Sequence, residues 1–140
     1  MRYEIRREDR KEAIFDENGS RISEWFDWID TNGLVKGESE YYRAGKDKKV
    51  AIFDVYGNKI TEWFDWIYPH GLVKGECDYY IACKNKNCAV YHKNGQKVSE
   101  DFSMENVFSI EKMNFIDNFG IVEVRNRDRT VETIEFKLIY

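Results

Sequence analysis

Cys77, Cys83, Cys88 and His92 place four soft ligand atoms within sixteen residues, in the order Cys-x5-Cys-x4-Cys-x3-His. Zinc takes thiolate and imidazole in a tetrahedral set, so zinc binding is the first chemistry to weigh. The spacing is not that of fingers or ribbons, whose cysteines come in close pairs. Cys83 and Cys88 bracket a four-residue hairpin tip, and the same tip 38 residues earlier has Gly45 and Val50 in their places. That tip forms without a metal. We read the three cysteines as plain buried or half-buried thiols, with zinc as the alternative. Their odd number fits a reduced compartment better than a disulfide framework.

Little else points to catalysis. His70, in "YPHG", reads as a turn residue, and His92 takes the column of Asp16 and Asp54 at a strand end. Asp27 and Asp65 recur with the aromatics around them, and a repeated carboxylate is better explained by one structural task done twice than by a general acid and base. No glycine-rich loop of the phosphate-cradling kinds occurs. The expectation is a non-enzymatic protein without a cofactor.

Charge is more informative. The segments "RREDRK" (6–11), "KDKK" (46–49), "KNKN" (84–87) and "RNRDR" (125–129) hold twelve Lys or Arg and four Asp or Glu, a net of +8. The whole chain is −4, so the remainder carries −12. Arg6, Arg7, Arg10, Lys46, Lys48, Lys49, Lys84, Lys86, Arg125, Arg127 and Arg129 are therefore the candidate partner-binding residues. In a stack of equivalent hairpins they form a basic stripe on an acidic body.

The elements that position these residues follow from a repeat. Ala13 to Val50 laid on Ala51 to Cys88 gives identity at 23 of 38 positions, including AIFD, EWFDWI and GLVKGE. A third copy begins at Ala89 and carries an insertion over about 103–118, while 1–12 reads as a partial first unit and 126–140 as a C-terminal capping strand. Units are thus 13–50, 51–88 and a divergent 89–125, in one domain. Phe108, Ile110 and Met113 of the insertion are candidates to cap the stack.

Within a unit the signals are β: "GLVKGESEYYRA" and "VAIFD" flank a short polar tip, and "DENGSRIS" reads as a tight turn into a short strand. Gly37 and Gly75 are expected at bulges in the long strand. "EWFDWI" is read as a short helical turn, because Ser23, Thr61 and Ser99 precede glutamates as N-caps do, and Trp25, Trp28 and Ile29 would share one helical face. A strand buried on both faces is the alternative. The fold expected is all-β, with tandem antiparallel hairpins stacked into one compact or solenoid-like domain.

The unit "AIFDENGSRISEWFDWIDTNGLVKGE" resembles the WG (KWG-type) repeat family of bacterial proteins in its order of signals. These are an apolar-Asp pair, a Gly-x-basic turn, Phe26-Asp27-Trp28-Ile29, then Gly-Leu-Val. The Trp-Gly dipeptide that names the family is absent. The resemblance implies stacked β-hairpin units that serve interaction, and it transfers no catalytic site.

Composition bounds the rest. With 140 residues, 42% of them hydrophobic and a single proline, the chain is long enough for one folded domain and is not disordered. No apolar run approaches a membrane span and the charged N-terminus lacks a signal-peptide core, which leads us to expect a cytoplasmic protein without a membrane partner. The preferred partner is a protein, with the chain acting as adaptor or inhibitor through its basic edge or the insertion. Electrostatic binding of RNA, DNA or a ribonucleoprotein is the alternative. Dimerisation through terminal sheet edges and an aromatic site for sugars or peptides are also open.

Overall fold

The computed structural model describes residues 2–116 and 119–138. Its strands are β1 (Tyr3–Glu8), β2 (Lys11–Asp16), β3 (Trp28–Ile29), β4 (Tyr41–Lys46), β5 (Lys49–Asp54), β6 (Trp66–Ile67), β7 (Tyr79–Lys84), β8 (Asn87–His92), β9 (Val107–Ile116), β10 (Phe119–Asn126) and β11 (Val131–Lys137). They form four small antiparallel sheets, ordered β1-β2, β3-β4-β5, β6-β7-β8 and β11-β10-β9. No helix is found among the described residues.

Three hairpins owe their register to one turn chemistry. Asp9-Arg10, Asp47-Lys48 and Asn85-Lys86 each have positive φ at both positions (50° and 66°, 52° and 66°, 49° and 71°). Such two-residue turns match the right-handed twist of the strands, and Asp or Asn at the first position tolerates that backbone. Glu8 pairs with Lys11, Lys46 with Lys49 and Lys84 with Asn87.

The fourth basic segment turns differently. Asn126 N–H donates to Thr130 O and Arg129 N–H to Asn126 O, the pattern by which Asp16 N–H donates to Ser20 O and Gly19 N–H to Asp16 O. Arg129 (φ 74°) thus takes the position of Gly19 (φ 81°). The segment 126–130, "NRDRT", is the counterpart of "DENGS", and the fourth basic segment is not a counterpart of "KDKK".

The expected helical turn at "EWFDWI" is corrected. Phe26 exchanges both backbone hydrogen bonds with Glu12 of β2, at 2.8 Å each, while Asp27 N–H and Asp30 N–H donate to Gly45 O and Arg43 O of β4. Backbone groups bonded to the hairpins on either side are not free to close helical turns. The segment is a strap: its first half belongs to one hairpin, and Trp28–Ile29 pairs with Gly45 and Ala44 of the next. Phe64, Trp66 and Ile67 repeat the arrangement on Val50, Cys83 and Ala82. Ser23, Thr61 and Ser99 are not N-caps. Their hydroxyls accept from Ile14, Ile52 and Val90 N–H at 2.9, 3.1 and 2.8 Å, which satisfies amides buried behind the strap.

The long strand through "GLVKGE" is also shorter than expected. Strands begin at Tyr41 and Tyr79, and Gly37 and Gly75 lie in the preceding turn, where Glu38 N–H donates to Gly33 O and Glu76 N–H to Gly71 O. Successive turns touch, since Ser39 Oγ donates to Val73 O at 2.6 Å.

The core lies between hairpins. Ile14, Phe26, Ile29, Tyr42 and Phe53 form one cluster and Val50, Phe64, Ile67, Val73 and Tyr80 the next. Each such side chain contributes about 1.5–3 kcal/mol when fully buried. The third cluster joins Ile81 and Val90 to Val122 and Phe136 of the C-terminal sheet. The insertion contains the whole of β9, and Ile110 and Met113 are buried while Phe108 is exposed. Residues 117–118 of the insertion, residue 1 and the last two residues of the capping strand lie outside the described residues. No helix is long and apolar enough to cross a membrane among the described residues.

Candidate functional site: the row of hairpin tips

The tips are tied together by the straps. Asp27 accepts the Asp47 N–H at 2.9 Å through one carboxylate oxygen and holds Lys11 Nζ with the other. Asp65 does the same between Asn85 N–H, at 2.7 Å, and Lys49 Nζ. Each carboxylate therefore joins the foot of one tip to the turn of the next and sets three tips side by side. The hydrogen bond from lysine, helped by the backbone donor, holds both carboxyl groups below the usual Asp range.

This wiring divides the candidate cations. Lys46 pairs with Glu24 at 3.0 Å, Lys49 with Asp65, Lys84 with Glu62, Arg6 with Glu4 at 2.6 Å and Arg125 with Glu111 at 2.8 Å. Exposed pairs of this kind add little stability, yet they neutralise the charge locally. Arg7, Arg10, Lys48, Lys86, Arg127 and Arg129 are exposed and have no acidic partner among the described residues. Of these, Arg10, Lys48 and Lys86 occupy the second turn position of successive hairpins. The basic stripe is thereby reduced to a spaced row of single charges, with Arg127 held beside Lys86 by its Nε–H to Glu105 O at 3.2 Å.

The basic segments themselves contain no aromatic residue, but the fold brings tryptophans beside them. Trp25 borders a shallow cup with Glu8, Asp9 and Lys11, and Trp63 one with Lys46, Asp47 and Lys49. Each indole is half-buried and carries a cation on its ring, Arg21 at 5.5 Å and Lys59 at 5.1 Å. The signal available was the Trp column itself, which ends at Asp101 in the third unit.

A second missed feature is Arg43, almost buried, which donates to Asp30 at 2.8 Å and to Ile67 O at 2.6 Å. Its guanidinium lies 5.3 and 4.7 Å from the rings of Trp28 and Trp66. The column reads Ile5, Arg43, Ile81, so the break in apolar pattern was visible, though its partner Asp30 was not.

The zinc set and the reading as free thiols are both corrected at Cys83 and Cys88. These face each other across β7 and β8 with Cα atoms 4.0 Å apart and are joined in a disulfide. His92 Nδ1 accepts Asn94 N–H at 3.2 Å, the capping role that Asp16 and Asp54 play at the equivalent turns. Cys77 alone is a free thiol, and burial raises it to about 11. No cluster of three metal-ligating residues forms among the described residues. His70 stays at its turn, 3.1 Å from Glu76, which also accepts the Gly71 N–H.

Compared with known proteins, the chain matches no family model, no curated protein and no solved structure.

Proposed function

We propose that the chain is a non-enzymatic protein-interaction module of the cytoplasm, adaptor or inhibitor, that meets an acidic protein surface with its hairpin tips. The observation that carries this reading is the row Arg10, Lys48, Lys86: three exposed cations at equivalent positions, without acidic partners among the described residues, next to lysines that do have them. Regular spacing of single charges suits a partner that presents carboxylates at matching intervals. The kinship with WG repeats belongs to the same proposal.

Charge distribution favours a protein over a nucleic acid. Exposed Glu8, Asp9 and Asp47 are interleaved with the free cations along the same edge, so the row presents separate positive charges and not the continuous cationic track that a phosphate backbone takes. The nucleic-acid reading draws on Arg127 and Arg129, which have no acidic partner among the described residues. It requires binding to arbitrary duplex or single strand that falls steeply with salt. Homodimerisation through the open edges of β1 and β11 is the weaker proposal, because Glu4, Arg6, Arg7, Glu132 and Glu135 along them discourage pairing.

The test is affinity capture from native cytoplasm with and without nuclease. A nuclease-resistant protein partner lost on charge reversal of Arg10 and Lys48 supports the reading, and a partner set unchanged by the reversal refutes it.

A further inference from the structure

Trp28 and Trp66 occupy one column of the repeat, and their ring centroids stand 6.2 Å apart. Arg43 lies against both rings, so the three side chains form a short ladder. The column continues with Met104, and the neighbouring column Asp27, Asp65 continues with Ser103. The third unit therefore lacks an indole and, beside it, a carboxylate.

An open groove lies beside Trp66, with Met104 in its lining. It is lined by Trp66, Tyr68, Lys86, Met104, Val107 and Arg127, with the Cys83–Cys88 disulfide in its wall. Trp66, at 40% exposure, is the most exposed of the four tryptophans. Lys86 and Arg127 have no acidic partner among the described residues, and Glu105 is the one carboxylate of the lining.

We propose that this groove binds an extended peptide segment of a protein partner in which a carboxylate adjoins an aromatic side chain. The inference rests on the reading of the chain as a protein-interaction module and specifies what one of its surfaces recognises. The aromatic ring packs on Trp66 and Tyr68 as the next rung, an arrangement tilted and edge-on aromatic pairs favour. The carboxylate meets Lys86 and Arg127. The chain itself pairs an acid and an indole at Asp65-Trp66, where the acid binds Lys49 and the Asn85 N–H and the ring adjoins Trp28; the third unit has Asn87 in the Lys49 column, so the cations the groove offers are Lys86 and Arg127.

The test is a two-dimensional NMR titration of the full chain with acetyl-Asp-Trp-amide, against acetyl-Asn-Trp-amide, acetyl-Asp-Ala-amide and uridine monophosphate. Saturable shifts are expected at the Trp66 indole and at Tyr68 and Lys86. Removing the ligand's charge weakens binding at least about fivefold, since charge-assisted hydrogen bonds are the stronger kind. Lys86→Asn and Arg127→Gln do the same. Both sites are exposed, and asparagine tolerates the left-handed turn position, so the variants fold. No shifts at the groove, equal binding of the alanine control, or preference for the nucleotide would each overturn the proposal. Arg10→Glu and Lys48→Glu, outside the groove, leave dipeptide binding unchanged. If they abolish protein capture while the dipeptide never binds, the groove assignment falls and the interaction-module reading stands.

Discussion

Arg43 Nε–H donates to Asp30 Oδ2 at 2.8 Å, with each side chain about one-tenth exposed. An ion pair this buried gains little over an apolar pair, but losing one partner leaves a buried charge and costs about 3–5 kcal/mol. The next unit has Ile81 and Tyr68 at these two positions. Arg43→Ile alone and Asp30→Tyr alone are expected to destabilise by about 3 kcal/mol in urea unfolding. The double variant recovers most of that loss. Additive losses would mean the pair is not acting as a unit.

Acid should weaken the straps. Asp27 and Asp65 have folded-state carboxyl groups held below the ordinary Asp value, first by Lys11 and Lys49 and then by the Asp47 and Asn85 amides. For a depressed carboxyl the stabilisation is fully present above the unfolded value and is lost as pH falls through the folded one. The urea midpoint is therefore expected to fall below about pH 4, the unfolded Asp value, and to fall less steeply in Asp27→Asn/Asp65→Asn. An identical acid limb in that variant would show the two carboxylates are not the linked groups.

Tyr42 is fully buried, and its hydroxyl has no hydrogen-bond partner among the described residues. Its burial also pushes the phenol far above the ordinary tyrosine range. An unsatisfied buried polar group costs about 1–3 kcal/mol, so Tyr42→Phe is expected to raise stability by about 1 kcal/mol while the ring still stacks on Phe53. A loss of stability in thermal or urea unfolding would reveal a bond to that hydroxyl.

Reduction of Cys83–Cys88 should leave the fold standing. The loop it closes spans five residues of sequence separation, and the hairpin before it forms with Gly45 and Val50. Chain-entropy estimates for so short a loop give about 2 kcal/mol or less. Thermal unfolding with and without reductant measures this directly, and native alkylation at pH 8 should label Cys77 slowly because its thiol is half-buried and raised to about 11.

Much of this architecture was legible because the duplication exposes it. The hairpins follow from short polar tips between β-rich runs, and the Ser23, Thr61, Ser99 column marks a repeated task; the tips read as four residues, while the turns themselves are the two-residue Asp9-Arg10, Asp47-Lys48 and Asn85-Lys86. What misled was "EWFDWI". Its spacing fits one helical face as well as a strand, and only tertiary contact decides, through the β2 and β4 backbone groups that claim Phe26, Asp27 and Asp30. The candidate site was half legible for a related reason. Local charge located Arg10, Lys48 and Lys86, but Lys46, Lys49 and Lys84 are neutralised by acids about twenty residues away in sequence, which the composition of a tip cannot show. Likewise "RNRDR" matches the other tips in charge while the backbone of 126–130 follows "DENGS".

The distinction between free and paired cations offers the most direct test of the proposed function. Two triple variants carry equal charge changes: Arg10→Glu/Lys48→Glu/Lys86→Glu on the free row, and Lys46→Glu/Lys49→Glu/Lys84→Glu on the paired set. Binding of the captured protein partner is measured for both by titration calorimetry at physiological salt. The account predicts that reversal of the free row abolishes binding while inversion of the paired set weakens it much less. Equal loss in both, or undiminished binding after reversal of Arg10, Lys48 and Lys86, would contradict it.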